Sequence, residues 1–242
     1  MFHPMLRAPA LRPSRAQPAP PRIGPRAARL LVELVHRQDR VWYAEHKPEI
    51  DEQVYAPLRA LLEDARSKLS RSYPRRQITT KIFRIHRDVR FSKDKSPFKD
   101  HASGVLMVGS NLDPMTAVGA LYLQIGPEEG AAAGHWAMGP EQLARYRRAV
   151  QDERDGTTLA RLLAPLVRDG YRIISAAQLS RAPKGVDPSH PRAELLRHKG
   201  LALDFPPIPT KVRHTRGLLD WCVERSQEVA PVVRWLLEHV AD

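Results

Sequence analysis

Apolar positions recur along the chain with two different periods. Leu30, Leu31, Leu34 and Val35 share one side of a stretch over 26–36, the spacing of an amphipathic helix. Val54, Leu58, Leu61, Leu62, Ala65 and Leu69 repeat it. Pro48, followed by Glu49, Asp51 and Glu52, predicts that this second helix opens near residue 48, because proline suits a first turn and acids complement its dipole. Trp42, Tyr43, His46 and Lys47 would then precede it, as packing groups more readily than as the wall of a site. Helical spacing returns over 139–153, 157–167 and 192–198, and from Leu218 to Val240 in helices broken near Pro231.

Strand signals lie between these. From Phe83 to Phe91 the chain alternates: Phe83, Ile85, Val89 and Phe91 on one parity, Arg84, His86, Asp88 and Arg90 on the other. This predicts a half-buried strand with a polar row on one face, Arg87 marking a bulge or an exit to solvent. Residues 103–108, 117–125, 131–138, 171–175 and 201–205 read as further strands, with turn residues such as Gly109, Asn111, Asp113 and Pro114 between. Short connections favour antiparallel pairing. The expected fold is one α+β domain over 27–242, a mostly antiparallel central sheet of four to six strands flanked by helices.

Residues 1–26 depart from this pattern. They are rich in Pro and Arg and hold little to bury, so they read as a disordered tail. The prolines oppose the amphipathic helix of a transit peptide, and no apolar signal region is present. No apolar run approaches a membrane span. Cys222 is the single cysteine, so no internal disulfide forms, and a cytoplasmic setting fits.

Charge sharpens the picture. The net charge is +12. Its excess sits in two places: the arginines of the tail, and residues 71–101, where Lys and Arg outnumber Asp88, Asp94 and Asp100. Charge so gathered draws anions more strongly than the same charge spread evenly. Phosphate-loop, dinucleotide, nucleophile-elbow and zinc-binding spacings are all absent from the sequence. The chemistry expected of the central stretch is therefore recognition of a phosphate-bearing small molecule. Arg84, Arg87 and Arg90 would bind the anion, Ser92, Lys93, Lys95 and Lys99 would close over it, and Lys184 would approach on the loop 181–191. If the ligand is an ester, His86, Asp88, Asp94 and His190 are the candidate proton-transfer groups, with Asp88 raising the pKa of His86. Asp88 and Asp94 are better suited to orienting basic side chains than to holding a metal, and no cofactor is expected. The alternative is a module that tracks a nucleic-acid backbone without catalysis. Oligomeric state is not addressed by the sequence.

Three ordered segments add a resemblance. WYAEHK at 42–47, RIHRDVRFSKDKSPFK at 84–99 and RAPKGVDPSHP at 181–191 resemble the motifs of the family catalogued as domain of unknown function 2461. The chain has His86 and Phe98 where that family usually shows Tyr. The resemblance implies a single domain over roughly 27–240 and a shared site that includes Arg84, Arg87, Asp88, Arg90, Lys93, Asp94, Lys95, Lys99, Lys184 and His190. It implies no particular reaction.

Overall fold

The structure, a computed structural model, describes residues 22–90 and 93–241. Most of the predicted tail, together with Phe91 and Ser92, lies outside the described residues. Ile23 is buried just ahead of helix α1 (Pro25–Arg37), which takes in Arg26.

Helix α2 (Arg40–Ile50) begins well before Pro48, contrary to the sequence reading. Asp39 sets its start: the carboxylate accepts the backbone N–H groups of Val41 (2.6 Å) and Trp42 (3.2 Å), two of the donors that a helix leaves orphaned. Pro48 sits inside α2, and a π-helical turn follows at Asp51–Tyr55 before α3 (Ala56–Leu69). Such a widened turn accommodates an interrupted hydrogen-bond ladder. Trp42 and Tyr43 are buried on α2, as packing groups.

Strand β1 (Ile78–Ile82) is the second correction: it lies upstream of the stretch expected to form the central strand. It pairs with β2 (Ala102–Val108), from Ile78↔Val108 to Ile82↔Gly104. Beyond that pair, residues 83–90 run beside 93–99 with a single isolated bridge, His86↔Phe98. Pro97 has no N–H to donate, and Asp94 curls the chain by accepting from the backbone and hydroxyl of Ser96, so no ladder propagates. The alternation of burial survives without the ladder: Ile85 is buried, while Arg84, His86, Asp88 and Arg90 are exposed.

Strands β3 (Val118–Ile125) and β4 (Gly130–His135) continue the meander. Helices α4 (Pro140–Gln151) and α5 (Glu153–Arg168) lead to β5 (Arg172–Ile174), and α6 (Ala193–Arg197) to β6 (Leu201–Asp204). The six-stranded sheet has the order β1-β2-β3-β4-β6-β5, antiparallel throughout. After α7 (Thr210–Arg213), helix α8 (Gly217–Leu236) runs through Pro231 without the expected break. Val229, Val232, Val233 and Leu236 are all buried there, and burial of several aliphatic side chains offsets the roughly 3 kcal/mol cost of an interior proline.

Helices α3 and α8 pack on one face of the sheet. Gly104 makes that approach close: a Cβ there would lie 2.5 Å from Leu62 Cδ1. Among the described residues no helix is long and apolar enough to cross a membrane. The other face of the sheet is the floor of a cleft.

Candidate functional site

The sheet face opposite α3 and α8 floors a cleft of about 850 Å³. Register defines its layout. One row across it reads Met107, Gly119, Gly134, Ala202, Ile174, and the next Val105, Tyr122, Ala132, Asp204, Arg172. The middle of the floor is therefore glycine and alanine, with larger side chains to either side. Phe83 and Tyr122 pack with Val105 at the β2 flank, their ring centroids 6.3 Å apart. Gly134 has φ +127°, and a side chain there would clash with the carbonyl oxygen of Leu201, so the backbone demands glycine.

Lys99 and His101 enter the cleft at one end. Both also line a second, shallower cleft of about 620 Å³, with Gln38, Arg87, Asp94 and Phe98. The Lys99 ammonium lies 5.3 Å from the centroid of the Phe83 ring, and no carboxylate pairs with it among the described residues. Desolvation, and then the charge of Arg84, push its pKa below that of an ordinary lysine. His101 is largely buried, and its Nδ1 lies 2.5 Å from Asp100 Oδ1.

The other predicted cations fare differently. Arg87 is paired with Asp94. Arg90 takes both oxygens of Asp88, Nε to Oδ1 at 3.0 Å and Nη2 to Oδ2 at 2.7 Å. Arg90 holds the Asp88 carboxyl down to about 2. Ser96, by side chain and then backbone, together with Arg87, does the same for Asp94, also to about 2. Lys95 donates to the carbonyl of Val89 at 3.0 Å. Arg84 and Lys93 are exposed, without a hydrogen bond or ion pair among the described residues. The row expected to gather one anion is thus partly consumed by its own carboxylates.

Among the described residues His86 makes no hydrogen bond or ion pair with Asp88, whose two oxygens are taken by Arg90. Its ring packs instead against Tyr43 and Phe98, each centroid 5.2 Å away. Lys184 and His190 stand apart too. The β1–β2 connection leaves one edge of the sheet, while the loop 181–191 joins β5 to β6 at the opposite edge. Among the described residues no hydrogen bond or ion pair joins the two, and neither side chain lines either cleft. The loop 181–191 instead positions the buried Arg192, whose guanidinium donates to the carbonyl of Val150 at 2.7 Å and that of Asp152 at 3.2 Å, where α4 meets α5. Among the described residues no group of three His, Cys, Asp or Glu side chains is placed to hold a metal ion.

The far end of the large cleft was not anticipated from sequence. Glu194 Oε1 accepts from Gln178 Nε2 at 2.7 Å, which fixes the amide nitrogen toward it and leaves a second N–H for His198 Nε2 at 3.3 Å. His198 Nδ1 then carries the proton and donates to Ser175 Oγ at 2.9 Å, while the Ser175 hydroxyl donates to the carbonyl of Ala177. In this tautomer His198 does not act as a base toward Ser175. Desolvation keeps its pKa below the ordinary histidine value. The only sequence signals here are isolated polar residues scattered over 175–198, which no spacing rule joins.

The profile of the conserved hypothetical protein family DUF2461 matches residues 26–235. The chain belongs to this family. No curated protein and no solved structure matches it. The family segment 84–99 forms the long β1–β2 connection that delivers Lys99 to the cleft, and the segment 181–191 leads into Arg192 on the other side of the molecule.

Proposed function

We propose that the protein binds a small phosphate-bearing molecule in the cleft on the open sheet face, with Lys99 as the principal contact to the anion. One observation carries this: a half-buried ammonium lines both clefts with no carboxylate against it. Such a group has lost part of its hydration and has Arg84 as a like-charged neighbour. An anion bound there offsets both penalties. The remaining charges of the cleft are largely matched internally, Asp204 by Arg172 and Glu129 by Arg213, with Glu128 exposed at the lip. The cleft volume suits a metabolite-sized ligand.

If the ligand is a phosphoester that the protein processes, His101 replaces His86 as the proton-transfer group. It lines the same cleft as Lys99, and Asp100 orients its ring. The nucleic-acid reading has less support, since two arginines of the basic stretch, Arg87 and Arg90, are paired within their own loop. A cytoplasmic setting remains part of the proposal.

The test is a thermal-shift and calorimetric screen with inorganic phosphate, sugar phosphates and nucleotides. Binding raises the melting temperature by mass action. The expected result is a shift lost in Lys99→Ala and weakened in Arg84→Ala, with circular dichroism unchanged. A shift that survives in Lys99→Ala would overturn the assignment. Salt-sensitive binding of oligonucleotides, with no response to the small phosphates, would favour the alternative.

A further inference from the structure

We infer that the ligand is an elongated amphiphile, an organic phosphate whose apolar body lies along the glycine–alanine floor and ends against Met115 and Trp136. This rests on the reading that Lys99 holds the anion, and adds the nature of the rest of the molecule.

The two ends of the cleft differ in chemistry. Lys99, His101, Gln124 and Glu128 stand at one end. At the other are Pro114, Met115 and Trp136, beside Ser175, Gln178 and His198, whose polar groups bond to one another. Gly130 lies level with Gln124 at the polar end, and Trp136 follows β4 directly at the other, so the trough spans six residue steps, about 20 Å at the usual strand rise. A free phosphate ion would occupy only one end of it.

The apolar end is built and held. Trp136 is 42% exposed and Met115 53%, and both face the cleft. The turn that carries Met115 is fixed, since its N–H donates to Asp113 Oδ1 at 3.0 Å and the buried His135 Nε2 donates to the carbonyl of Thr116 at 2.8 Å. Large apolar side chains exposed at the end of a concave surface are a recurrent feature of ligand sites. Between the two ends the floor offers nothing taller than a methyl group at Ala132, Gly134 and Ala202. Gly134 is demanded by its backbone, but Ala132 and Ala202 have ordinary strand pairing, and a longer side chain at either would project into the trough. Charge at one end, exposed Met115 and Trp136 beside an internally bonded polar group at the other, and a smooth floor between them match a phosphate head on an extended apolar body.

The experiment compares inorganic phosphate, methyl phosphate, butyl phosphate and octyl phosphate by calorimetry, on the full chain and on Ala132→Leu and Lys99→Ala. Octyl phosphate is expected to bind at least about tenfold more tightly than methyl phosphate, the gain from burying only two or three methylenes. In Ala132→Leu that preference should fall to within about threefold, while inorganic phosphate binds as before. Should Ala132→Leu not fold, Trp136 supplies a second readout: octyl phosphate, but not inorganic phosphate, should shift the indole emission, and Trp136→Phe should abolish the change. Equal affinity across the series, still dependent on Lys99, would overturn the amphiphile and leave the anion site standing. No binding of any member would overturn both.

Discussion

The side-chain amide of Gln38 engages both backbone polar groups of Phe98: the Phe98 N–H donates to Oε1 at 3.1 Å, and Nε2 donates to the Phe98 carbonyl at 3.4 Å. Gln38 ends α1 in the left-handed region, φ 48°, so this contact ties the end of the first helix to the loop that precedes Lys99. Phe98 is buried against Tyr43, ring centroids 4.6 Å apart. The residue just before Lys99 is thereby tied to one sixty positions upstream.

Replacing Gln38 by Ala leaves the Phe98 N–H and carbonyl without their partner. The expected cost is about 1–3 kcal/mol in chemical denaturation, with faster amide exchange at Phe98. Unaltered exchange at Phe98 would show that the amide does not hold the loop.

Arg192 is 7% exposed and donates to the carbonyls where α4 ends, to Thr157 Oγ1 at 3.2 Å and to Glu153 Oε2 at 3.3 Å. Arg192→Ala strands several of those acceptors and should cost about 2–4 kcal/mol. Arg192→Lys should recover little, because one ammonium cannot reproduce a fork of donors. Urea denaturation of the two variants tests this, and near-complete recovery by lysine would contradict it.

Arg84 depresses the Lys99 pKa as a like-charged neighbour, second to burial. In Arg84→Gln the Lys99 value should rise part of the way back toward an ordinary lysine, since desolvation remains. Titration of ¹³Cε-labelled lysine by NMR reads the change directly. A value that stays put would mean that solvent screens the pair.

His135 is fully buried, and desolvation lowers its pKa to about 4. The unfolded chain titrates near the ordinary value of about 6.5. Between those limits the unfolded state binds the extra proton, so stability falls as pH falls from about 6.5 toward 4. The slope contributed by this one group is at most about 1.4 kcal/mol per pH unit. Denaturation at pH 7, 6 and 5 should show it, flattened in His135→Gln. A slope that is the same in the variant would assign the acid sensitivity to other groups.

Sequence alone determined the helix and strand periodicities, the antiparallel sheet, the family and the stretch that reaches the cleft, because each is written in local spacing or in neighbouring residues. It offered Lys99 as one candidate among the basic residues of 84–99. What only the tertiary structure decided is which of those charges stays available. Ion pairing depends on where side chains end, not on their order in the chain, so Arg87 and Arg90 are consumed by Asp94 and Asp88 while Lys99 is left facing the cleft. Strand order likewise set Lys184 and His190 at the far edge of the sheet from Lys99. The trough itself is a property of neighbouring strands in register: Gly119 on β3, Ala132 and Gly134 on β4 and Ala202 on β6 read singly as small residues, and become a floor only when hydrogen bonding lays them side by side.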